Sequence, residues 1–107
     1  MNLTSFLQDR RLTVALRGEI DHHSAKDTMR VLGNKIELYL PLCCVLDFED
    51  VTFMDSSGIA IVIFCVRRMR ELQGEVILRN VPPQPKKVFL ASGVERLVKM
   101  EERTVSV

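Results

Sequence analysis

Leu12, Val14 and Leu16 alternate with Thr13, Ala15 and Arg17. That period of two predicts a half-buried β-strand, here ending at Gly18. The preceding stretch MNLTSFL (1–7) alternates more weakly and is expected to pair with it as an edge strand. From Ser24 to Leu40 the period lengthens. Ala25, Met29, Leu32, Ile36 and Tyr39 are spaced 4, 3, 4 and 3 residues apart, a single apolar stripe along an α-helix. Ser24 and Asp27 read as a capping box with Asp in place of Glu, and Pro41 stops the helix.

The run CCVLDF (43–48) is short and continuously apolar, as expected of a strand buried on both faces of a sheet. EDVTFMDSS (49–57) reads as a turn, followed by a second helix from Ser57 to Leu72 that closes near Gly74. EVILR (75–79) predicts another strand. NVPPQPKK (80–87) opens a short helix over Lys87–Ser92 that ends at Gly93. MEERTVSV (100–107) is either a last strand or a frayed end. The order β-β-α-β-α-β-α has no linker or repeat, so one α/β domain over residues 1–107 is expected. Its sheet should be mixed and parallel at the centre, with helices mainly on one face.

The second helix is amphipathic only at its C-terminal end. Val62, Cys65, Val66, Met69 and Leu72 share one side, with Arg67, Arg68, Arg70 and Glu71 largely opposite. Ile59, Ala60, Ile63 and Phe64 lie on that same opposite side one or two turns earlier. Either another part of the chain covers them or a partner does.

A length of 107 residues suits one domain, and 47% apolar with 27% charged residues is an ordinary globular balance. The net charge of +1, with no block of like charge, gives no support to direct capture of nucleic acid or a membrane. The longest apolar run, Ile59–Val66, is far shorter than a membrane span, and the first residues lack the pattern of a secretion signal. A cytoplasmic location is therefore expected. Cys43, Cys44 and Cys65 are odd in number and sit in apolar runs, which suits reduced core thiols.

Two segments carry candidate chemistry. In TFMDSSGIAIVIFCVRR (52–68), Ser56 and Ser57 stand where a helix begins. One of them is expected to cap it, because the first backbone N–H groups need acceptors. A nucleophilic serine would need a base and an orienting acid. The only histidines, His22 and His23, are adjacent, and the Gly-x-Ser-x-Gly elbow of hydrolases is missing. A phosphate on one serine would gain about 0.3–1 kcal/mol from the helix dipole. Asp55 opposes it by like charge. Phosphorylation should then spare the fold and act on whatever docks beside it, since about two negative charges would have to be desolvated.

In GEIDHHSA (18–25), Asp21, His22 and His23 are expected in the loop between strand and helix. Adjacent histidines without a cysteine pair make a poor metal site. Asp21 is either a helix-start acid or a carboxylate offered to an Arg or Lys of a partner. No phosphate-binding loop or dinucleotide fingerprint is present. Neither a cofactor nor an enzymatic activity is expected.

Together GEIDHHSA and LDFEDVTFMDSSGIAIVI resemble the STAS-domain anti-sigma factor antagonists of bacteria, over about Leu3–Val98. The likeness is greatest to those of stage II sporulation, which carry a similar Asp-His-His-x-Ala loop. The resemblance implies a non-enzymatic partner switch in transcription regulation. The unphosphorylated antagonist binds an anti-sigma factor that is also a serine kinase, and a sigma factor is released. The kinase phosphorylates the serine directly after the Asp, here Ser56, which ends binding, and a PP2C-type phosphatase restores it. Ser57 and Gly58 then shape the turn, and Asp21 with its neighbours His22 and His23 faces the partner. Asp55, Ile59, Ala60, Ile63 and Phe64 complete the docking surface. Ala60 and Phe64 stand where such proteins often carry glycine, which makes this surface bulkier. The runner-up is a STAS module of another system, a general-stress partner switch or a small-ligand-sensing scaffold.

Overall fold

The computed structural model describes residues 2–101, and in it the expected strands form one five-stranded sheet. Spatial order follows chain order: β1 (Asn2–Gln8), β2 (Arg11–Ile20), β3 (Cys43–Met54), β4 (Glu75–Arg79) and β5 (Lys99–Glu101). β1 is antiparallel to β2, and every other neighbouring pair is parallel. The parallel connections are α1 (His22–Tyr39), α2 (Ser57–Glu71), and α3 (Pro83–Ser92) followed by a short 3-10 turn, Val94–Leu97.

The period-two residues of the strands meet the helix stripes on one side of the sheet. Leu12, Val14 and Leu16 join Cys44, Leu46, Phe48, Val76 and Leu78 in a core completed by Leu32 and Ile36 of α1 and by Val62, Cys65 and Met69 of α2. Phe89 of α3 meets Phe48 edge to face, with ring centroids 5.3 Å apart. All three helices therefore lie on the same face, as expected. Cys44 and Cys65 are fully buried, Cys43 half-buried, and all three are free thiols. A hydrogen bond with Cys44 and burial push the Cys65 thiol well up, which keeps it an unreactive core residue.

Four boundaries differ from the sequence reading, two because of strand pairing and two because of local helix-start chemistry. β2 does not end at Gly18. Its register against β3 shifts between Gly18 and Glu19, Gly18 adopts φ +82°, and the strand resumes to Ile20. A left-handed backbone at a bulge favours glycine. EDVTFM is likewise not a turn: β3 continues through it because β2 runs beside it, pairing Gly18 with Val51 and Ile20 with Met54.

α1 begins at His22 rather than Ser24, so His22 and His23 are in its first turn and the loop shrinks to Asp21. The capping box is Asp21 with Ser24; Asp27 pairs instead with Arg30 at 2.6 Å. α3 begins at Pro83, not Lys87, with proline tolerated where a helix has no use for the N–H. Of the C-terminal tail, Met100 and Glu101 belong to β5, and the remainder lies outside the described residues.

Candidate functional site

The parallel pairing of β2 with β3 ends at Ile20 opposite Met54. The chain then leaves both strands side by side, and the Asp55 N–H donates to the Ile20 carbonyl at 3.1 Å. Two segments distant in sequence, Glu19–Ser24 and Met54–Gly58, become neighbours through that one bond. Each feeds a helix, α1 from Asp21 and α2 from Ser56.

Asp21 is exposed and caps α1. Its Oδ1 accepts from the Ser24 N–H at 2.8 Å, and the Ser24 hydroxyl accepts from the Asp21 N–H at 3.0 Å. The Ser24 N–H holds the Asp21 carboxyl below its ordinary range. The group is thus an acid fixed in orientation at the surface, and its contacts are those of the helix-start reading. His22 and His23 flank it, both exposed.

At the start of α2 the expected capping serine is replaced by an acid. Ser56 occupies the cap position with helical backbone angles and makes no side-chain cap bond. The Asp55 carboxylate takes that role, accepting from the Ser57 N–H at 2.7 Å. The Asp55 and Ser56 carbonyls then accept from the N–H groups of Gly58 and Ile59 at 3.1 and 3.0 Å. The Ser56 side chain is left exposed, beside the acid that secures its turn.

Gly58 is buried for a steric reason. A Cβ there would overlap the Met54 Sδ and lie 2.5 Å from its Cγ, and Met54 is fully buried. Glycine thus lets the first turn of α2 settle directly on the end of β3.

One residue that fixes this turn was not foreseen. β3 outruns β4, whose pairing stops at Asp47 opposite Arg79. Beyond that point Gln84 of α3 stands in for the missing strand at Met54. Its Oε1 accepts from the Met54 N–H at 2.9 Å and its Nε2 donates to the Met54 carbonyl at 2.8 Å. No local pattern marks Gln84 within PPQPKK, because the pairing exists only once α3 folds back over β3. Phe53, 47% exposed beside the turn, also escaped the sequence reading.

The outer side of α2 has two fates. Ile59, Ile63 and Phe64 are half-buried and packed against the core, while Ala60 is exposed. The Phe64 ring lies against Gly33 of α1, where an added Cβ would come within 3.0 Å of the ring Cζ, and the Arg68 guanidinium sits 5.2 Å from the ring centroid. α1 therefore covers the later part of the patch and leaves its first turn open next to Ser56. Among the described residues no group of three His, Cys, Asp or Glu side chains is brought together as a metal site. No described helix is long and apolar enough to cross a membrane.

The STAS domain model matches residues 6–106, and the chain belongs to that family. It is similar to an anti-sigma F factor antagonist of Lysinibacillus sphaericus, 34% identical over 86 residues that cover 78% of this chain and 74% of that protein. Among solved structures it is similar to the anti-sigma factor antagonist SpoIIAA in its unphosphorylated form, with TM-score 0.84 and 29% identity over 96% of this chain and 89% of that one. The phosphorylated form of Bacillus SpoIIAA matches with TM-score 0.75 and 28% identity, over 96% and 92% of the two chains. The resemblance drawn from the two motifs therefore holds at the level of fold and family, and the relatives are regulators rather than catalysts.

Proposed function

We propose that this chain is an anti-sigma factor antagonist switched by phosphorylation of Ser56. The observation that carries the reading is the joint presentation of two groups on adjacent strand ends: the fixed carboxylate of Asp21, and a Ser56 side chain that is exposed and free of any capping duty. In the unphosphorylated state Asp21, with His22 and His23, meets a cationic group of an anti-sigma factor, while Ala60 and the exposed edges of Ile59, Ile63 and Phe64 supply apolar contact. Binding of that factor releases its sigma factor, in the cytoplasm of a sporulating bacterium.

The anti-sigma factor is itself the kinase. The Ser56 Oγ attacks the γ-phosphorus of ATP, the new Oγ–P bond replaces the bond to ADP, and the hydroxyl proton passes to a kinase base. The Ser56 hydroxyl accepts no cap hydrogen bond, so its modification removes no cap from the turn. The phosphate gains from the nearby helix N-terminus but meets the Asp55 carboxylate already seated there. Fold stability should change little. What changes is docking, because a doubly charged group would have to be desolvated in the interface. The phosphorylated and unphosphorylated forms of SpoIIAA support a switch that leaves such a fold in place. A PP2C-type phosphatase hydrolyses the ester and resets the switch.

The test is intact-mass measurement and peptide mapping after incubation with ATP and the candidate anti-sigma kinase. One phosphoryl group on Ser56, with Ser56→Ala left unmodified and still binding the kinase, is the expected result. Modification on Ser57, or none at all, would overturn the reading and direct the search to small ligands.

A further inference from the structure

The two edges of the sheet are built differently. The described residues of β5, Lys99–Glu101, are charged, with Lys99 paired to Glu75 at 3.1 Å and Glu101 to Arg79 at 3.0 Å. Charge along an edge is a usual means of stopping a sheet from growing. β1 has none. Its seven residues, NLTSFLQ, include no charge and no proline, and they pair with β2 one for one without a bulge. Among the described strands none occupies its outer edge, so a row of backbone N–H and C=O groups faces outward. Its side chains invite contact instead of guarding against it: Phe6 is 60% exposed and Leu7 42%.

We propose that β1 pairs with β1 of a second copy of this chain, antiparallel about a two-fold axis, joining two sheets into one of ten strands. The self-complementarity of the strand specifies the occupant. Centring the pairing on Ser5 sets Leu3 opposite the second copy's Leu7, and Thr4 opposite the second copy's Phe6, each match occurring twice.

Leu3 and Leu7 belong to the helix-bearing face, where their β2 partners are Leu16 and Leu12, so the exposed part of Leu7 gains an apolar cover. Thr4 and Phe6 belong to the other face, opposite Ala15 and Thr13. An aromatic residue beside a β-branched one is a favourable cross-strand combination. No like charges meet, because the strand has none. Centring on Phe6 instead would set Leu7 against Ser5 and carry Leu3 past the end of the strand.

The two-fold arrangement also closes. After β1 is used, the edges left among the described strands are the two copies of β5, whose described residues carry paired charges, so the assembly stops at a dimer. Antiparallel pairing points the C-terminal ends of β2 and β3 in opposite directions in the two copies. The two Ser56 sites therefore lie at opposite ends of the joined sheet, each free to meet its own partner. The dimer does not depend on the role assigned to Ser56.

The experiment is sedimentation velocity on the full chain over about a hundredfold range of concentration, where a dimer appears by mass action. Thr4→Lys with Phe6→Lys sets lysine opposite lysine twice across the axis and should weaken association by about tenfold or more. Thr4→Lys with Phe6→Glu sets each lysine opposite a glutamate and should restore the dimer. Circular dichroism checks that both variants keep the fold. Amide exchange on the unsubstituted protein gives a readout independent of the variants: β1 amides should exchange more slowly as concentration rises. The proposal is overturned by a monomer at every concentration, by β1 exchange that ignores concentration, or by a dimer that survives the double lysine variant. That last result would move the interface elsewhere, for example to the exposed Leu38, Leu40 and Leu42 pole.

Discussion

Gln84 offers the sharpest test of how the turn before Ser56 is held. Its carboxamide makes two hydrogen bonds to the Met54 backbone, at 2.9 and 2.8 Å, where β4 no longer reaches β3. Gln84→Ala removes both. A net worth of about 0.5–1.5 kcal/mol per bond puts the loss at about 1–3 kcal/mol. With a urea slope of about 1–3 kcal/mol per molar, the unfolding midpoint should fall by roughly 1 M.

Gln84→Glu separates bonding from packing, since it keeps the size and the acceptor position but replaces the donor by a carboxylate facing the Met54 carbonyl. That contact raises the introduced carboxyl in the folded state, so the variant's stability falls as pH rises through the raised value and recovers on acidification. Amide exchange at Met54 and Asp55 should quicken in both variants, and Ser56 should become a poorer phosphoacceptor as its turn loosens. The idea fails if Gln84→Ala leaves the midpoint within about 0.2 M of the parent and those two amides exchange unchanged.

Gly58→Ala reads the packing of α2 on β3. Helix propensity alone would stabilise it by about 1 kcal/mol. The new methyl, however, overlaps Met54, with the Cγ only 2.5 Å away, and overpacking of about 1–3 kcal/mol should leave a net loss in urea unfolding; a net gain would refute the steric reading. Asp21→Asn keeps a capping oxygen but removes the titration. Because the Ser24 N–H lowers the Asp21 carboxyl from its ordinary 3.8, its contribution is present above that value and lost as pH falls through the lower folded one. The parent should therefore lose midpoint relative to Asp21→Asn only in that acidic window, and parallel pH profiles would contradict this. Ala60→Glu tests docking at an exposed position: circular dichroism should be unchanged while affinity for the anti-sigma partner falls about tenfold or more, the scale of a charge left unpaired in an interface. Ile63 is a less clean probe, because it is half-buried against the core and a charge there destabilises the fold as well.

Local chemistry in the sequence determined most of the elements. The stripe Ala25–Leu32–Ile36 made α1, the run after Ser57 made α2, EVILR made β4, and the placement of Asp-Ser-Ser-Gly at a helix start followed from residues a few positions apart. These survive because helix and strand periods are properties of neighbouring side chains. Tertiary structure alone decided what depends on distant pairing. EDVTFM became strand because β2 lay beside it, and Gly18 became a bulge rather than a strand end. The serine expected to cap α2 was relieved by Asp55, and a glutamine from α3 replaced a strand that stopped short. The juxtaposition of Asp21 with Ser56 rests on the parallel register that sets Ile20 opposite Met54. The alternation of apolar side chains fixes which face of each strand is buried. Which β2 residue stands opposite which β3 residue depends on how the α1 crossover packs between them, a contact of segments far apart in the chain.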